Sequence, residues 1–164
     1  MKNSALNYAM WLLSKRDRSV GQIEEKLLGK EYSQEEVRTT VRFLLDKNFL
    51  SDERFAENYI RNQIIIKPLG KYQLKQKLKK KLVPSDIIEQ ALGGLAKEDE
   101  LALSKEVSAK WLRSKYQVLS IRYKGDKNKI RNSLVRHLVS RGFNFDDIKE
   151  TVDAALAQQL DTEY

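Results

Sequence analysis

The sequence predicts an all-α fold: three tandem three-helix repeats forming an elongated or curved array. Three observations carry that reading. Only two prolines and seven glycines occur among 164 residues otherwise rich in Lys, Glu, Leu and Ala, a composition that favours helix along nearly the whole chain. Helix-start signals recur in pairs, and the pairs line up once the apolar positions behind them are superposed. Those apolar positions are spaced three or four residues apart, the period of a helix with one buried face.

In the first repeat, residues 1–50, a helix over Ala5 to Leu13 precedes the pair. Ser19-Val20-Gly21-Gln22 is a capping box opening a helix that buries Ile23 and Leu27. Ser33-Gln34-Glu35-Glu36 repeats the device before Val37, Val41 and Leu45. In the second repeat, residues 51–95, a helix over Asp52 to Asn62 is entered through Leu50-Ser51 with Phe55 as a hydrophobic staple. Gly70 stands at the next N-cap, with Gln73 at the third helical position and Leu74 and Leu78 behind it. Pro84 then occupies a first helical position, and its helix carries Asp86, Ile87, Ala91 and Leu95.

The third repeat, residues 96–164, begins with a helix over Glu100 to Lys115. Asp126 caps a helix bearing Ile130 and Leu134 that Gly142 ends, and Asn144 caps the last, with Asp147, Ile148, Val152 and Leu156. Ser19 and Ser33 lie 14 residues apart, Gly70 and Val83 lie 13 apart, and Asp126 and Asn144 lie 18 apart, so the third middle helix is about one turn longer. Tyr116 to Gly125 has little helical period and reads either as an extended connector or as an extra turn. A three-helix repeat of roughly 50 residues is small for a core of its own, so stacking on neighbours is expected.

The chemistry the chain lacks narrows its function. No cysteine occurs, which excludes disulfides and thiolate sites and suits a reducing cytoplasm; His137 is the sole histidine, in a middle helix beside Leu134 and Leu138. No nucleophile–base pair, carboxylate dyad, metal box or phosphate-binding glycine loop appears, so no catalytic residue, metal or cofactor is expected. Asp146 and Asp147 read as helix-start charges. The run Ala9 to Leu13 within Met1 to Arg18 is too short to span a bilayer and lacks a cleavage site, so a cytoplasmic protein without a membrane anchor is expected.

Net charge is +8, and by repeat it is +2, +4 and +2. The middle repeat concentrates the excess in Lys67, Lys71, Lys75, Lys77, Lys79, Lys80 and Lys81, with no acid between them. Lys71, Lys75 and Lys79 share a helix side, where like charges repel unless a polyanion relieves them. Lysines of this kind suit phosphate contacts without reading sequence. A solvated lysine-rich surface is the plainer alternative.

A second basic stretch holds Arg113, Lys115, Arg122, Lys124, Lys127, Lys129, Arg131, Arg136 and Arg141, opposed only by Asp126. Tyr116 and Tyr123 lie among them, either as base-stacking rings or as packing between helices. An independent helix-turn-helix-like DNA-binding regulator is the competing class, since Gln73 and Gln76 on the lysine-rich helix are residue types that read base edges. A structural adaptor with solvated basic faces is a third.

Several stretches together resemble the RecX family, over nearly the whole chain. Arg16, Arg18 and Ser19 followed by Ile23, Lys26 and Leu27 are similar to its first-repeat pattern, and Leu50, Asp52, Arg54, Phe55 and Ala56 to its Leu-x-Asp-x-Arg-Phe-Ala segment. Gly70, Leu74 and Leu78 resemble the positions that follow. Lys127 to Leu138, Arg141-Gly142-Phe143 and Asp147-Ile148 resemble the family's C-terminal part. Gln63, Leu82 and Gln22 depart from it, standing where the family often has a basic residue, Gly and Glu.

The resemblance implies three tandem three-helix repeats and a non-enzymatic protein, expected here as a monomer. It implies binding in the groove of the RecA nucleoprotein filament and opposition to the filament's growth or persistence. ATP hydrolysis, strand exchange and the co-protease activity behind the SOS response would fall as a result. The implied partners are RecA with single- and double-stranded DNA, without sequence preference. The basic residues of the second and third repeats are the expected contacts, Lys71, Lys75 and Lys79 foremost.

Overall fold

The structure, a computed structural model, describes residues 4–161, with side chains as far as Gln158. The outermost residues of the first and third expected repeats lie outside that range. The described residues form nine α-helices and no strand: α1 Ala5–Lys15, α2 Val20–Leu28, α3 Gln34–Asp46, α4 Asp52–Ile66, α5 Lys71–Lys79, α6 Ser85–Gly93, α7 Lys97–Arg122, α8 Lys127–Ser140 and α9 Phe145–Asp161. The fold is therefore an all-α repeat fold, as the capping pattern predicts. Among the described residues no helix is long and apolar enough to cross a membrane.

The start signals act as read. Ser19 and Ser33 each form a full capping box, with Gln22 and Glu36. The Ser51 hydroxyl accepts from the Arg54 amide at 3.1 Å, the Asp126 carboxylate from the Asn128 and Lys129 amides, and the Asn144 side chain from the Asp146 amide at 2.8 Å. Leu50 and Phe55 are both buried, as a staple requires. The third middle helix, α8, has 14 residues against nine each for α2 and α5.

Three local expectations need correction. Pro84 precedes α6 rather than opening it: its carbonyl accepts from the Ile88 amide at 3.0 Å, which is the bonding of an N-cap residue. The buried face of α6 is Ile88 and Leu92; Ile87 and Ala91 are half-buried, and Leu95 lies beyond the helix end. The helix expected over Glu100 to Lys115 runs from Lys97 to Arg122 as α7, taking in most of the segment 116–125 that read as either an extended connector or an extra turn. Its Leu119 is buried while Val118 and Ile121 are exposed, so packing on one residue per turn sustains helix where the hydrophobic period is weak.

The helix ends share a device that glycine alone did not reveal. In α2, α5 and α8 a buried leucine of the last turn, Leu27, Leu78 or Leu138, accepts from the amide five residues on, at Tyr32, Val83 or Phe143. This is a Schellman closure, and the residue before each donor is left-handed: Glu31 (φ 61°), Leu82 (φ 61°) and Gly142 (φ 79°). Only Gly142 adopts that conformation without steric cost. Leu82 bears a penalty of about 1–2 kcal/mol.

The chain divides into two compact units, one joining Met1–Arg61 with Lys75–Leu92 and the other joining Asn62–Leu74 with Gly93–Tyr164. In the first, α1, α2 and α3 close on a core that includes Ala9, Leu12, Ile23, Leu27, Val41 and Leu44. In the second, α7, α8 and α9 close on Val107, Leu112, Leu134, Leu138, Ile148 and Val152. Buried Ser104 and Thr151 hydroxyls hydrogen-bond across α7 and α9 at 2.6 Å, so neither is orphaned.

Each unit also contains one joint, and the two joints have the same plan. In the first unit the Val20 amide, opening α2, donates to the buried Asp52 carboxylate at 2.8 Å, and the Ser19 hydroxyl donates to the Lys81 carbonyl beyond α5. A Cβ on Gly21 would stand 2.6 Å from that of Leu82. In the second unit the Lys71 amide, opening α5, donates to the buried Glu100 carboxylate at 2.9 Å, and the Gly70 amide to the Arg141 carbonyl at 3.0 Å. A Cβ on Gly70 would stand 2.2 Å from the Gly142 carbonyl oxygen, so two backbones cross with no room for a side chain.

Replacing Gly142 by Ala combines left-handed strain with a Cβ 2.5 Å from the Gln73 amide nitrogen, and should cost about 2 kcal/mol or more. The urea midpoint should fall accordingly, and Gly70→Ala should behave alike. An unchanged midpoint in both variants would refute the crossing as a constraint. Burial raises the Asp52 pKa above its ordinary value, against the opposing bond from Val20. Folding thus favours the protonated form, so this group's contribution is greatest below its unfolded pKa and declines as pH rises through the folded one. Asp52→Asn keeps an acceptor for Val20 and should remove that slope from stability measured between pH 3 and 6, whereas Asp52→Ala should lose about 1–3 kcal/mol at neutral pH.

Candidate polyanion and partner surfaces

In the first compact unit the end of α5 gathers most of the lysine run. Leu78 is buried, which turns Lys79 and Lys80 outward and leaves Lys75, Lys77 and Lys81 half-buried. Lys75 forms an ion pair with Glu89 of α6. Its charge is thus partly answered within the protein, and the expected mutual repulsion along the Lys71, Lys75, Lys79 row is relieved at its centre.

Further positive charge gathers one turn later. The Lys81 ammonium stands 5.0 Å from the centre of the Tyr59 ring. Burial lowers the Lys81 pKa, and the charges of Arg16 and Lys77 lower it further. Burial and Arg16 act in the same direction on Arg18, whose Nε is buried without a hydrogen-bond partner. Arg16 is therefore close enough to Lys81 and to Arg18, and Lys77 to Lys81, for their charges to repel, a cost that a nearby anion would relieve.

Arg16 and Arg18 were missed as members of this basic group by reading charge along the chain, because some 60 positions separate them from Lys77. The signal available was their place just before the Ser19 cap. The Ser19–Lys81 bond then brings them to the lysines.

The second compact unit holds the remaining candidates, and it spreads them. Arg131 donates to Asp153 through Nε at 3.2 Å and Nη2 at 3.0 Å, and Lys129 pairs with the cap residue Asp126 at 3.4 Å. Arg136 donates to the Ser133 hydroxyl at 3.1 Å, and Arg141 to the Pro68 carbonyl at 3.4 Å. Lys67, Arg122, Lys124 and Lys127 are exposed around helix ends, while Lys71 is half-buried at the joint. Tyr116 packs against the α7–α9 core, and the Tyr123 hydroxyl lies 3.4 Å from that of Ser133.

Of the family-motif positions, Asp52, Gly70 and Gly142 meet at the two joints, Leu50, Phe55 and Ala56 are buried, and the Arg54 guanidinium donates to the Asn48 carbonyl at 3.0 Å. They support the fold rather than presenting chemistry to solvent.

Beside the second joint is a cleft of about 300 Å³ between the end of α4, α7 and α8. The His137 ring lies 5.8 Å from that of Trp111, tilted by 32°. Burial, and then the charge of Arg141, lowers the His137 pKa below its ordinary value, so the ring is neutral at physiological pH. No group of residues able to hold a metal occurs among the described residues.

Comparison with known proteins agrees with this architecture. The model of "RecX, first three-helix domain" matches residues 5–44, and that of "RecX, second three-helix domain" matches residues 51–92. The "Regulatory protein RecX" of Prosthecochloris aestuarii (strain DSM 271 / SK 413) is 36% identical over 152 residues, covering 93% of each chain. That of Actinobacillus pleuropneumoniae serotype 5b (strain L20) is 35% identical over 161 residues, covering 98% of this chain and 97% of its own. The crystal structure of RecX from Lactobacillus salivarius superposes with a TM-score of 0.79, over 92% of this chain and 94% of that one; at 22% identity this likeness concerns the fold alone. Helical repeats, matched domains and relatives at this level of identity lead to one conclusion: the chain belongs to the RecX family of regulatory proteins.

Proposed function

We propose that this protein binds RecA and its DNA filament and restrains it, without chemistry of its own. The observation that carries the reading is the cluster of Arg16, Arg18, Lys77 and Lys81, cations held together by the fold. With the exposed Lys79 and Lys80 it forms a surface suited to phosphates on either single- or double-stranded DNA. Family membership supplies the partner. Three repeats, 1–50, 51–95 and 96–164, act as a monomeric cytoplasmic scaffold whose many modest contacts alter the balance between filament growth and loss.

The helix-turn-helix alternative is weakened by Gln73, a base-reading candidate. It is half-buried at the second joint, against Gly142. Lys71, Lys75 and Lys79 remain contacts in this reading, with Lys75 shared with Glu89.

A substoichiometric amount of the protein should make RecA's single-stranded-DNA-dependent ATP hydrolysis decline progressively; an unchanged rate at saturating protein overturns the proposal. The combined variant Lys77→Glu, Lys79→Glu, Lys80→Glu should bind DNA and the filament about tenfold or more weakly at moderate salt, with a shallower salt dependence and unaltered helical circular dichroism. Wild-type affinity in that variant would remove the α5 end from the interface.

A further inference from the structure

The cleft of the second compact unit has a chemistry that phosphate binding does not explain. Ile65 and Ile66, at the end of α4, line it while remaining 74% and 77% exposed. Two adjacent isoleucines held in water beside a concavity are an unfavourable arrangement unless something covers them. The cleft contains Trp111 and His137 and is bordered by Lys67, Lys110 and Arg141 against the single carboxylate of Glu106.

The equivalent place at the first joint has a different character. Matching Ser19 to Gly70 and the α5 end to the α8 end sets Arg16, Lys77 and Lys81 against Lys67, His137 and Arg141. A neutral imidazole thus replaces one cation, and exposed aliphatic surface is added.

We infer that this cleft is a protein-docking site, taking one large apolar side chain of a partner segment with carboxylates beside it. Ile65, Ile66 and Trp111 form the apolar seat, and Lys67, Lys110 and Arg141 meet the flanking carboxylates. A nucleobase fits less well: isoleucines offer it neither stacking nor hydrogen bonds, the Trp111 ring already has His137 beside it, and Glu106 repels phosphate. The inference rests on the filament reading for its partner, which is the recombinase protein rather than its DNA.

The test uses the full chain with two probes, RecA without DNA and an oligo(dT) strand, at the same salt. Ile65→Ser with Ile66→Ser alters only exposed side chains. It should weaken RecA binding by about tenfold or more and leave oligo(dT) binding unchanged. Lys110→Glu, an independent variant at another exposed position, should weaken RecA binding by about threefold or more. Equal RecA affinity in wild type and both variants overturns the docking site while leaving the filament reading intact. A loss confined to oligo(dT), or equal on both probes, overturns it in favour of a nucleic-acid surface. Failure of the wild-type chain to bind RecA at all overturns the filament reading and this inference with it.

Discussion

The interaction on which the rest depends is the bond from the first amide of a middle helix to a buried carboxylate near the start of the next repeat's first helix: Val20 to Asp52, and Lys71 to Glu100. A helix N-terminus has amides without intrahelical partners and a partial positive charge, so an acid there satisfies both. Burying the carboxylate opposes this, and the raised pKa of Asp52 records that cost. The backbone crossings alongside, Gly21 against Leu82 and Gly70 against Gly142, leave no slack for the carboxylate to withdraw into water. A repeat of this size lacks the core to be rigid alone, and the joint ties it to its neighbour through polar groups that have few alternative partners.

The joints also decide where charge accumulates. Arg16 precedes Ser19 by less than a turn, and Lys77 and Lys81 belong to the end of the helix that Ser19 bonds. Positive charge is therefore concentrated by the same contacts that join the repeats. In the second joint one of the three corresponding positions carries the His137 ring in place of a cation, and exposed isoleucines lie beside it. One architecture thus presents two kinds of surface, one rich in cations and one in which cations border exposed aliphatic side chains.

What was legible in the sequence follows from how local each cause is. Caps at Ser19, Ser33, Asp126 and Asn144 were readable because a capping side chain acts within three residues of itself. The helix ends at Glu31 and Leu82 were not, because there the fold imposes a left-handed conformation on residues that do not prefer it. Weak periodicity after Tyr116 suggested a break, yet α7 persists, since burial of Leu119 and the packing of Tyr116 outweigh local preference. Pro84 misled by one position because proline is compatible with both the cap and the first turn.

The sequence by itself determined the all-α class, the pairing of caps, the family and the net positive charge, all of which depend on residue type and short spacing. Only the tertiary structure decided which charges act together. Lys75 is answered by Glu89, Arg131 by Asp153, and Arg16 is brought to Lys81 across more than 60 positions. It also decided that Gly70 and Gly142 face each other, a requirement neither glycine announces alone. Coulombic and steric constraints depend on distance in space, and a chain's order does not contain that distance until its helices have packed.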